Sequence, residues 1–209
     1  MRAAALTALS PGVALRLTGF ERDPRQVFTP VQCRQHPIPL APMPDTGFPP
    51  IADAHARVLI LGSLPGQVSL QRQQYYAHPH NAFWKIMGRC FGAGPELPYA
   101  ERVQCLVQNG IALWDVCAAA QRPGSLDAAI VHASVVPNDI AAFIESHPDI
   151  GLIGFNGSKA ANLYRRLVLP GLPTEIRCIR TETLPSTSPA HAAMPFEEKL
   201  SRWAAVLQS

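Results

Sequence analysis

Residues 57–84, which decide the fold, read Arg-Val-Leu-Ile-Leu-Gly-Ser-Leu-Pro-Gly-Gln-Val-Ser-Leu-Gln-Arg-Gln-Gln-Tyr-Tyr-Ala-His-Pro-His-Asn-Ala-Phe-Trp. The apolar run at 58–61 is short and continuous, which is typical of a strand buried on both faces of a parallel sheet. It ends at Gly62 and Gly66, whose missing Cβ atoms let the backbone turn tightly and approach a ligand. A polar loop with two tyrosines follows, and Asn81 then begins a helical pattern. A strand that leads into a glycine turn and an aromatic segment indicates a pocket for a flat ligand.

The rest of the sequence alternates between strand and helix patterns. Strands are predicted at 57–62, 111–114, 150–155 and 176–180, and helices at 81–91, at 99–109, from 137, from 158 and at 195–207. This alternation predicts an α/β fold with three layers (αβα) and a central four-stranded parallel sheet. Loops that leave the carboxyl ends of parallel strands line one crevice. The unusual polar and aromatic residues fall in those loops, at 62–80, 115–136, 156–158 and 182–194.

The N-terminal quarter has a different composition. Residues 1–56 contain nine of the 21 prolines, and such a density is incompatible with regular helix and favours an extended arm. We therefore predict a Pro-rich N-terminal extension at 1–56 and one domain at 57–209, a length that suits a single core.

Bulk composition restricts the class of protein. Hydrophobic residues make up 47% and charged residues 16%, so a globular fold is expected. The net charge of +3 permits a polyanionic partner without requiring one, because no dense Lys/Arg block occurs. The five cysteines have neither metal-site nor disulfide-framework spacing. No apolar run reaches the roughly 18 residues that cross a bilayer, and we expect an intracellular protein, cytoplasmic and nucleoid-associated in a prokaryote.

Six motifs lie in the predicted crevice loops or at their edges. They are Gly62-Ser63-Leu64-Pro65-Gly66 with Ser69, Tyr75-Tyr76-Ala77-His78-Pro79-His80-Asn81-Ala82-Phe83-Trp84, Leu113-Trp114-Asp115-Val116, Gly124-Ser125-Leu126-Asp127, Phe155-Asn156-Gly157 and Ser186-Thr187-Ser188-Pro189-Ala190-His191. In this order they resemble the uracil-DNA glycosylase superfamily over residues 57–207, and within it the hypoxanthine (deoxyinosine) DNA glycosylase family. The H-P-x-N-x-F-W segment and the F-N-G motif are also similar to those of the mismatch-specific uracil/thymine glycosylases.

The resemblance implies a monofunctional DNA glycosylase that flips out a deaminated base, hypoxanthine first, and hydrolyses its N-glycosidic bond to leave an abasic site. Such an enzyme holds the extruded base by stacking and by hydrogen bonds to its edge. It requires no metal or organic cofactor. The implied partner is double- or single-stranded DNA with a damaged base, bound by a monomer and without a membrane. Two alternatives stay open: a uracil or mismatched-thymine glycosylase, and a catalytically silent domain that binds nucleotides or damaged DNA.

The resemblance also assigns roles to single residues. Asn81 is expected to position the water or support the leaving base, although Asn before an apolar helical run is also a favoured N-cap. Tyr76 is expected to stack on the base, with Tyr75 or Phe83 sharing the contact. Leu64 occupies the position at which many members carry a catalytic Asp or Asn, which favours hypoxanthine over uracil. His191 is expected to contact phosphate or stabilise the transition state.

Further loop residues complete the expected site. Asp115 is expected to accept a hydrogen bond from a purine N–H, with a helix cap or a salt bridge as the alternative. Asp127 is expected to cap its Ser-Leu-Asp turn. The expected base pocket comprises Gly62, Ser63, Leu64, Pro65, Gly66, Tyr76, His78, Phe83, Asp115 and Asn156. The expected DNA contacts are Ser69, Gly157, Lys159, Ser186, Thr187, Ser188, Pro189 and Ala190.

Overall fold

The computed structural model describes residues 43–124 and 126–208. The strands in this part of the chain are β1 (Asp45–Thr46), β2 (Val58–Gly62), β3 (Ile111–Asp115), β4 (Cys117–Ala120), β5 (Val136–Pro137), β6 (Leu152–Asn156) and β7 (Arg180–Leu184). The α-helices are α1 (Gln67–Arg72), α2 (Phe83–Phe91), α3 (Tyr99–Gln108), α4 (Ile140–Glu145), α5 (Ser158–Leu163), α6 (Thr174–Arg177) and α7 (Phe196–Leu207). A π-helical turn at Tyr164–Val168 continues α5, and short 3₁₀ turns lie at Asp127–Ala129, His132–Ser134, Leu169–Gly171 and Pro189–His191. None of these helices is long and apolar enough to cross a membrane.

The central sheet has four parallel strands in the order β3-β2-β6-β7. Strand β2 lies inside it, and Leu59, Ile60 and Leu61 are fully buried. Side chains alternate between the faces of a strand, so Leu59 and Leu61 join one hydrophobic cluster while Ile60 joins the other. The first cluster contains the apolar faces of α4 and α5, and the second those of α2 and α7. The predicted three-layer α/β fold is confirmed.

The predicted fourth strand is placed wrongly. Residues 174–177 form helix α6, in which Ile176 is buried, and the strand is β7, which begins at Arg180. Strand β7 is the edge of the sheet and pairs with β6 alone within the described residues. An edge strand tolerates polar side chains, so β7 lacks the apolar run by which the other three strands were recognised. Helix α1 and strand β4 were both predicted as loop.

The end of the predicted N-terminal extension packs against the domain. Strand β1 pairs antiparallel with β4 in a small second sheet of order β1-β4-β5. Ile51 exchanges two backbone hydrogen bonds with Leu113, and the Phe48 ring contacts Tyr75 edge-on at 5.2 Å. The structured chain therefore starts before the predicted boundary at residue 57; the earlier part of the extension, 1–42, lies outside the described residues.

The loops that follow the parallel strands all lie at the same edge of the sheet. Gly62 and Asp115 are paired residues at the carboxyl ends of β2 and β3, and Asn156 is paired with Leu184 at the ends of β6 and β7. The turn 62–66, the loop 115–136 and the loop 185–191 therefore meet at this edge, as expected for an open parallel sheet.

Candidate active site

A pocket of ≈ 480 Å³ opens at the carboxyl edge of the sheet. Its walls come from all four crevice loops and from the start of α1. They comprise Gly62, Ser63, Leu64, Pro65, Gly66, Gln67, Val68, Ser69, Tyr76, His78, Asn81, Asp115, Leu126, Asp127, Asn156, Ser186, Thr187, Ser188, Pro189 and Ala190. Most of the residues that the sequence predicted for the site are thus brought together, and the volume falls in the range of small-molecule pockets.

Tyr76 forms an aromatic wall of the pocket. Its ring is stacked on Phe83, with centroids 3.9 Å apart and an interplanar angle of 24°. Its backbone is left-handed, with φ of 54°, a conformation that costs energy in a non-glycine residue and is concentrated at functional sites. Phe83 is fully buried behind Tyr76, and Tyr75 is 3% exposed with its hydroxyl donating to the Pro49 carbonyl. Neither lines the pocket, so the predicted sharing of the base contact is wrong.

Asp115 places a buried carboxyl group on the pocket floor. It is 3% exposed, and its Oδ2 atom has no hydrogen-bond partner among the described residues. A Cβ atom on Gly62 would collide with Asp115 Oδ1 and lie 3.2 Å from Tyr76 Oη, so glycine leaves the space that these two groups occupy. Burial raises the pKa of Asp115 to about 8, and the charge of Asp127 adds to the shift while Arg122 opposes it. At neutral pH this carboxyl group is mostly protonated.

The Tyr76 hydroxyl is the second buried polar group without a partner. Tyr76 Oη lies near the Asn156 side chain but makes no hydrogen bond of normal geometry to any described residue. Burial raises the pKa of this hydroxyl and Asp115 raises it further, although the nearby Asn156 amide opposes the shift. An unpaired buried polar atom is costly, and Tyr76 Oη and Asp115 Oδ2 are two such atoms in residues that line the pocket.

Asp127 enters the pocket and does not cap its turn, which corrects the prediction. Ser63 Oγ donates a hydrogen bond of 2.7 Å to Asp127 Oδ2, across 64 positions of sequence. No side chain caps the turn that Asp127 begins. Partial burial raises the pKa of Asp127, and the hydrogen bond from Ser63 and the charges of Arg122 and Lys159 oppose this.

Arg122, which was not predicted as a site residue from the sequence, connects the pocket loops through an ion pair and hydrogen bonds. Its side chain is fully buried and forms an ion pair of 2.8 Å with Asp45 from β1. It also donates to the carbonyl oxygens of Leu64 and Pro65 and lies 3.9 Å from Asp127. The guanidinium group has five N–H donors in a fixed planar arrangement. The Arg122 side chain can therefore bind Asp45 and the two carbonyl oxygens of the turn 62–66 at the same time.

Asn81 lies in the turn before α2 and lines the pocket. Its Oδ1 accepts the backbone amide of Phe83 at 3.0 Å, one residue before the N-cap position, which is Ala82. The Nδ2 group of Asn81 has no partner among the described residues. The hydrogen bond to Phe83 fixes the side chain at the start of α2, and whether Asn81 acts on the substrate stays a prediction.

The loop after β7 is held by side-chain hydrogen bonds. Thr187 is 1% exposed and bonds to the side chain of Asn156, so it positions the loop and is not available to DNA as predicted. Ser186 Oγ and Ser188 Oγ accept backbone amides at 3.3 Å. Their hydroxyl hydrogens have no acceptor within the described part of the chain. Ser69 is buried at the pocket wall, where its Oγ accepts the amide of Ala77 at 3.2 Å.

Three other predicted residues lie outside the pocket lining. Gly157 has φ of 98° and packs against Ser186, where a side chain would collide. The ammonium group of Lys159 lies 3.3 Å from the His132 ring. His191 is exposed, and its carbonyl oxygen accepts a hydrogen bond of 2.7 Å from Lys199. Within residues 43–124 and 126–208, no group of three His, Cys, Asp or Glu side chains is arranged to hold a metal ion.

A family model for the uracil DNA glycosylase superfamily matches residues 49–208. The chain belongs to this superfamily. The membership agrees with the geometry, because the matched segment contains the central sheet and every residue of the pocket.

The chain is also similar to individual proteins. The chain is 38% identical to a hypoxanthine DNA glycosylase of Methanosarcina acetivorans over 78% of its own length and 97% of the relative's. It is 38% identical to a hypoxanthine DNA glycosylase of Methanosarcina barkeri over 64% of its length and 84% of the relative's. The solution NMR structure of a Methanosarcina acetivorans protein, provisionally assigned as a uracil DNA glycosylase, matches with a TM-score of 0.66 and 36% identity, covering 79% of this chain and 98% of that one. The protein is a DNA repair glycosylase that acts on deaminated bases, and hence a hydrolase of N-glycosyl bonds.

Proposed function

We propose that this glycosylase removes hypoxanthine from deoxyinosine in DNA and leaves an abasic site. The observation that carries the proposal is the pair of unpartnered buried atoms, Asp115 Oδ2 and Tyr76 Oη, in the walls of one pocket. The two hypoxanthine DNA glycosylases to which the chain is similar support the same substrate.

A protonated Asp115 matches the lactam edge of hypoxanthine. A neutral carboxyl group offers one O–H donor and one carbonyl acceptor side by side. The lactam edge offers the complement, because O6 accepts and N1–H donates. Hypoxanthine then forms two hydrogen bonds with the Asp115 carboxyl group, whose Oδ2 atom has no partner among the described residues of the free protein. The pKa of about 8 keeps the proton on Asp115 at neutral pH, and above that pH the carboxylate repels O6.

Tyr76 and Asn81 complete the proposed base site. The Tyr76 ring, supported from behind by the stacked Phe83 ring, presents a rigid aromatic face to the flipped base. The free Nδ2 donor of Asn81 supports the negative charge that develops on the departing base, a type of stabilisation that is worth most in a water-excluded site. The amide is neutral and takes up no proton.

The proposed DNA contacts lie on the loop after β7. The free hydroxyl donors of Ser186 and Ser188 bind phosphate oxygens, which fixes the register of the DNA without reading its sequence. Ala190 and Pro189 are exposed at the pocket rim. We expect the enzyme to act as a monomer on chromosomal DNA, which in a prokaryotic cell lies in the cytoplasm.

The test is the release of free base from duplexes that carry one deoxyinosine, one deoxyuridine or only normal bases. We expect release from deoxyinosine and none from the undamaged control. Uracil presents the same lactam edge as hypoxanthine, so faster release from deoxyuridine would replace the proposed substrate by uracil. The variant Asp115→Asn, which keeps one donor and one acceptor, is expected to retain most activity at pH 7. Asp115→Ala is expected to lose it, and equal activity of the two variants would contradict the proposed role of Asp115.

A further inference from the structure

The pocket contains two carboxyl groups, Asp115 and Asp127, and they have opposite surroundings. Among the described residues these are the acidic side chains that line it. Asp115 is 3% exposed and has no hydrogen-bond partner for Oδ2. The Asp127 side chain is 42% exposed and is bonded to Ser63 Oγ at 2.7 Å. Pairs of titratable groups whose environments differ in this way commonly divide the acid and base roles of a site.

The charges around Asp127 favour its ionised form over that of Asp115. The Arg122 guanidinium lies 3.9 Å from Asp127 Oδ1, and the Lys159 ammonium contributes a second favourable charge. The Ser63 hydroxyl donates to the carboxylate, which also favours the charged form. When one proton is shared between the two acids, Asp115 keeps it and Asp127 carries the negative charge.

Hydrolysis of the N-glycosyl bond needs a group that accepts a proton. The C1′–N9 bond breaks with its electron pair leaving on the base, and the oxygen of a water molecule bonds to C1′. One water proton must then pass to a base, and from there to the departing purine or to solvent. Asn81 is a neutral amide whose oxygen already accepts the backbone amide of Phe83, and Leu64 carries no proton acceptor. His78 also lines the pocket, but its Nδ1 atom already accepts the backbone amide of His80 at 3.2 Å. Asp127 is the carboxylate of the pocket walls whose surroundings favour the ionised form.

We propose that Asp127 is the catalytic base of this glycosylase. It takes the proton of the attacking water, and its negative charge stabilises the positive charge that develops on the sugar. Ser63 holds the carboxylate at the pocket wall. Arg122, which also binds the carbonyl oxygens of Leu64 and Pro65, fixes its position relative to the glycine turn. The proposal rests on the pocket being the site of base release.

The experiment measures the single-turnover rate constant of base release from a deoxyinosine duplex between pH 5 and pH 9. The Asp127→Asn variant is expected to lose about 100-fold or more, the range of general-base catalysis. Its affinity for a duplex with a non-cleavable abasic-site analogue is expected to be unchanged, because the carboxylate acts on the water. The matched control is Asp139→Asn, which exchanges an Asp for another good N-cap at α4, outside the pocket, and is expected to keep full activity.

The dependence of the rate constant on pH distinguishes a catalytic base at Asp127 from a residue with a structural role alone. The rate for the wild-type enzyme is expected to fall at low pH as Asp127 becomes protonated, and this fall is expected to be absent in Asp127→Asn. It is expected to persist in Asp115→Asn, which removes the other titrating carboxyl group of the pocket. As a second variant, Asp127→Ala is expected to recover activity with added formate. Unchanged release by Asp127→Asn, or equal losses of rate and affinity, would overturn the proposal. Absence of release by the wild-type enzyme would instead count against the proposed function.

Discussion

Asn156 and Thr187, 31 positions apart in the sequence, exchange two hydrogen bonds through one amide side chain. Asn156 Nδ2 donates to Thr187 Oγ1 at 2.8 Å, and the Thr187 backbone amide donates to Asn156 Oδ1 at 2.9 Å. The Thr187 carbonyl also accepts the amide of Ala82 at 3.0 Å. The end of β6, the loop after β7 and the start of α2 are thereby joined at the pocket.

The first prediction concerns the hydrogen bond from Asn156 Nδ2 to Thr187 Oγ1. Thr187→Val keeps the shape of the side chain and removes the acceptor of Asn156 Nδ2, so the free energy of unfolding is expected to fall by about 1–3 kcal/mol. Base release is expected to slow as well, because the loop 186–190 forms a wall of the pocket. Urea denaturation and single-turnover assays measure the two effects. The control Thr187→Ser keeps the hydroxyl group and is expected to retain most of the activity; if it is as slow as the valine variant, the hydrogen bond is not what positions the loop.

The second prediction concerns the pH dependence of stability that Asp115 imposes. Its pKa of about 8 in the folded protein lies well above its value in the unfolded chain. Between pH ~4 and pH ~8 the folded state therefore holds a proton that the unfolded state has lost, and stability falls as pH rises through this interval. Relative to Asp115→Asn, the wild-type protein is expected to lose up to ~1.4 kcal/mol per pH unit. Denaturation of both proteins at several pH values measures the difference, and parallel curves would show that Asp115 is ionised in the folded state at pH 7.

The third prediction concerns Arg122, whose side chain is fully buried between Asp45 and the turn 62–66. Its replacement by alanine removes the ion-pair partner of Asp45, which keeps only its hydrogen bonds from Gln67, and the donor to two carbonyl oxygens. Breaking a buried ion pair costs about 3–5 kcal/mol of unfolding free energy. Arg202 provides the matched control, because its ion pair with Glu198 is exposed on α7. Arg202→Ala is expected to cost less than about 1 kcal/mol. Similar costs for the two variants in thermal or chemical denaturation would mean that Arg122 does not fix the turn.

Local patterns in the sequence were sufficient for three of the four strands of the central sheet and, together with the family resemblance, for most residues of the pocket walls. The buried run of β2 is recognisable because both of its faces are covered. The motif residues converge because the carboxyl ends of parallel strands share one edge, so the parallel direction of the strands was enough to place Gly62, Asp115 and Asn156 at the same edge. Edge strand β7, which pairs only with β6 among the residues that the structure describes and is mostly exposed, carries no comparable pattern.

Contacts between distant positions could not be predicted in this way. Ser63 and Asp127 are 64 positions apart, and Arg122 and Asp45 are 77 apart. No periodicity links such pairs, because each depends on the conformation of a loop with little regular structure. Asp127 was therefore predicted as a local cap, and Asp45 was assigned to the Pro-rich N-terminal extension.

The last prediction separates the two roles of Asn81. A serine hydroxyl can accept the same Phe83 backbone amide, as in a turn formed by Ser or Asn, but has no amide donor. Asn81→Ser is therefore expected to keep the stability of the wild-type protein while base release falls about 100-fold, as for the loss of one preorganised donor. Asn81→Ala removes the acceptor of the Phe83 amide as well, and its unfolding free energy is expected to be lower by about 1 kcal/mol. Single-turnover release and urea denaturation are measured on both variants. Full activity of Asn81→Ser would reduce Asn81 to a residue that stabilises the start of α2, whereas the loss of activity without a loss of stability assigns its free Nδ2 group to the departing base.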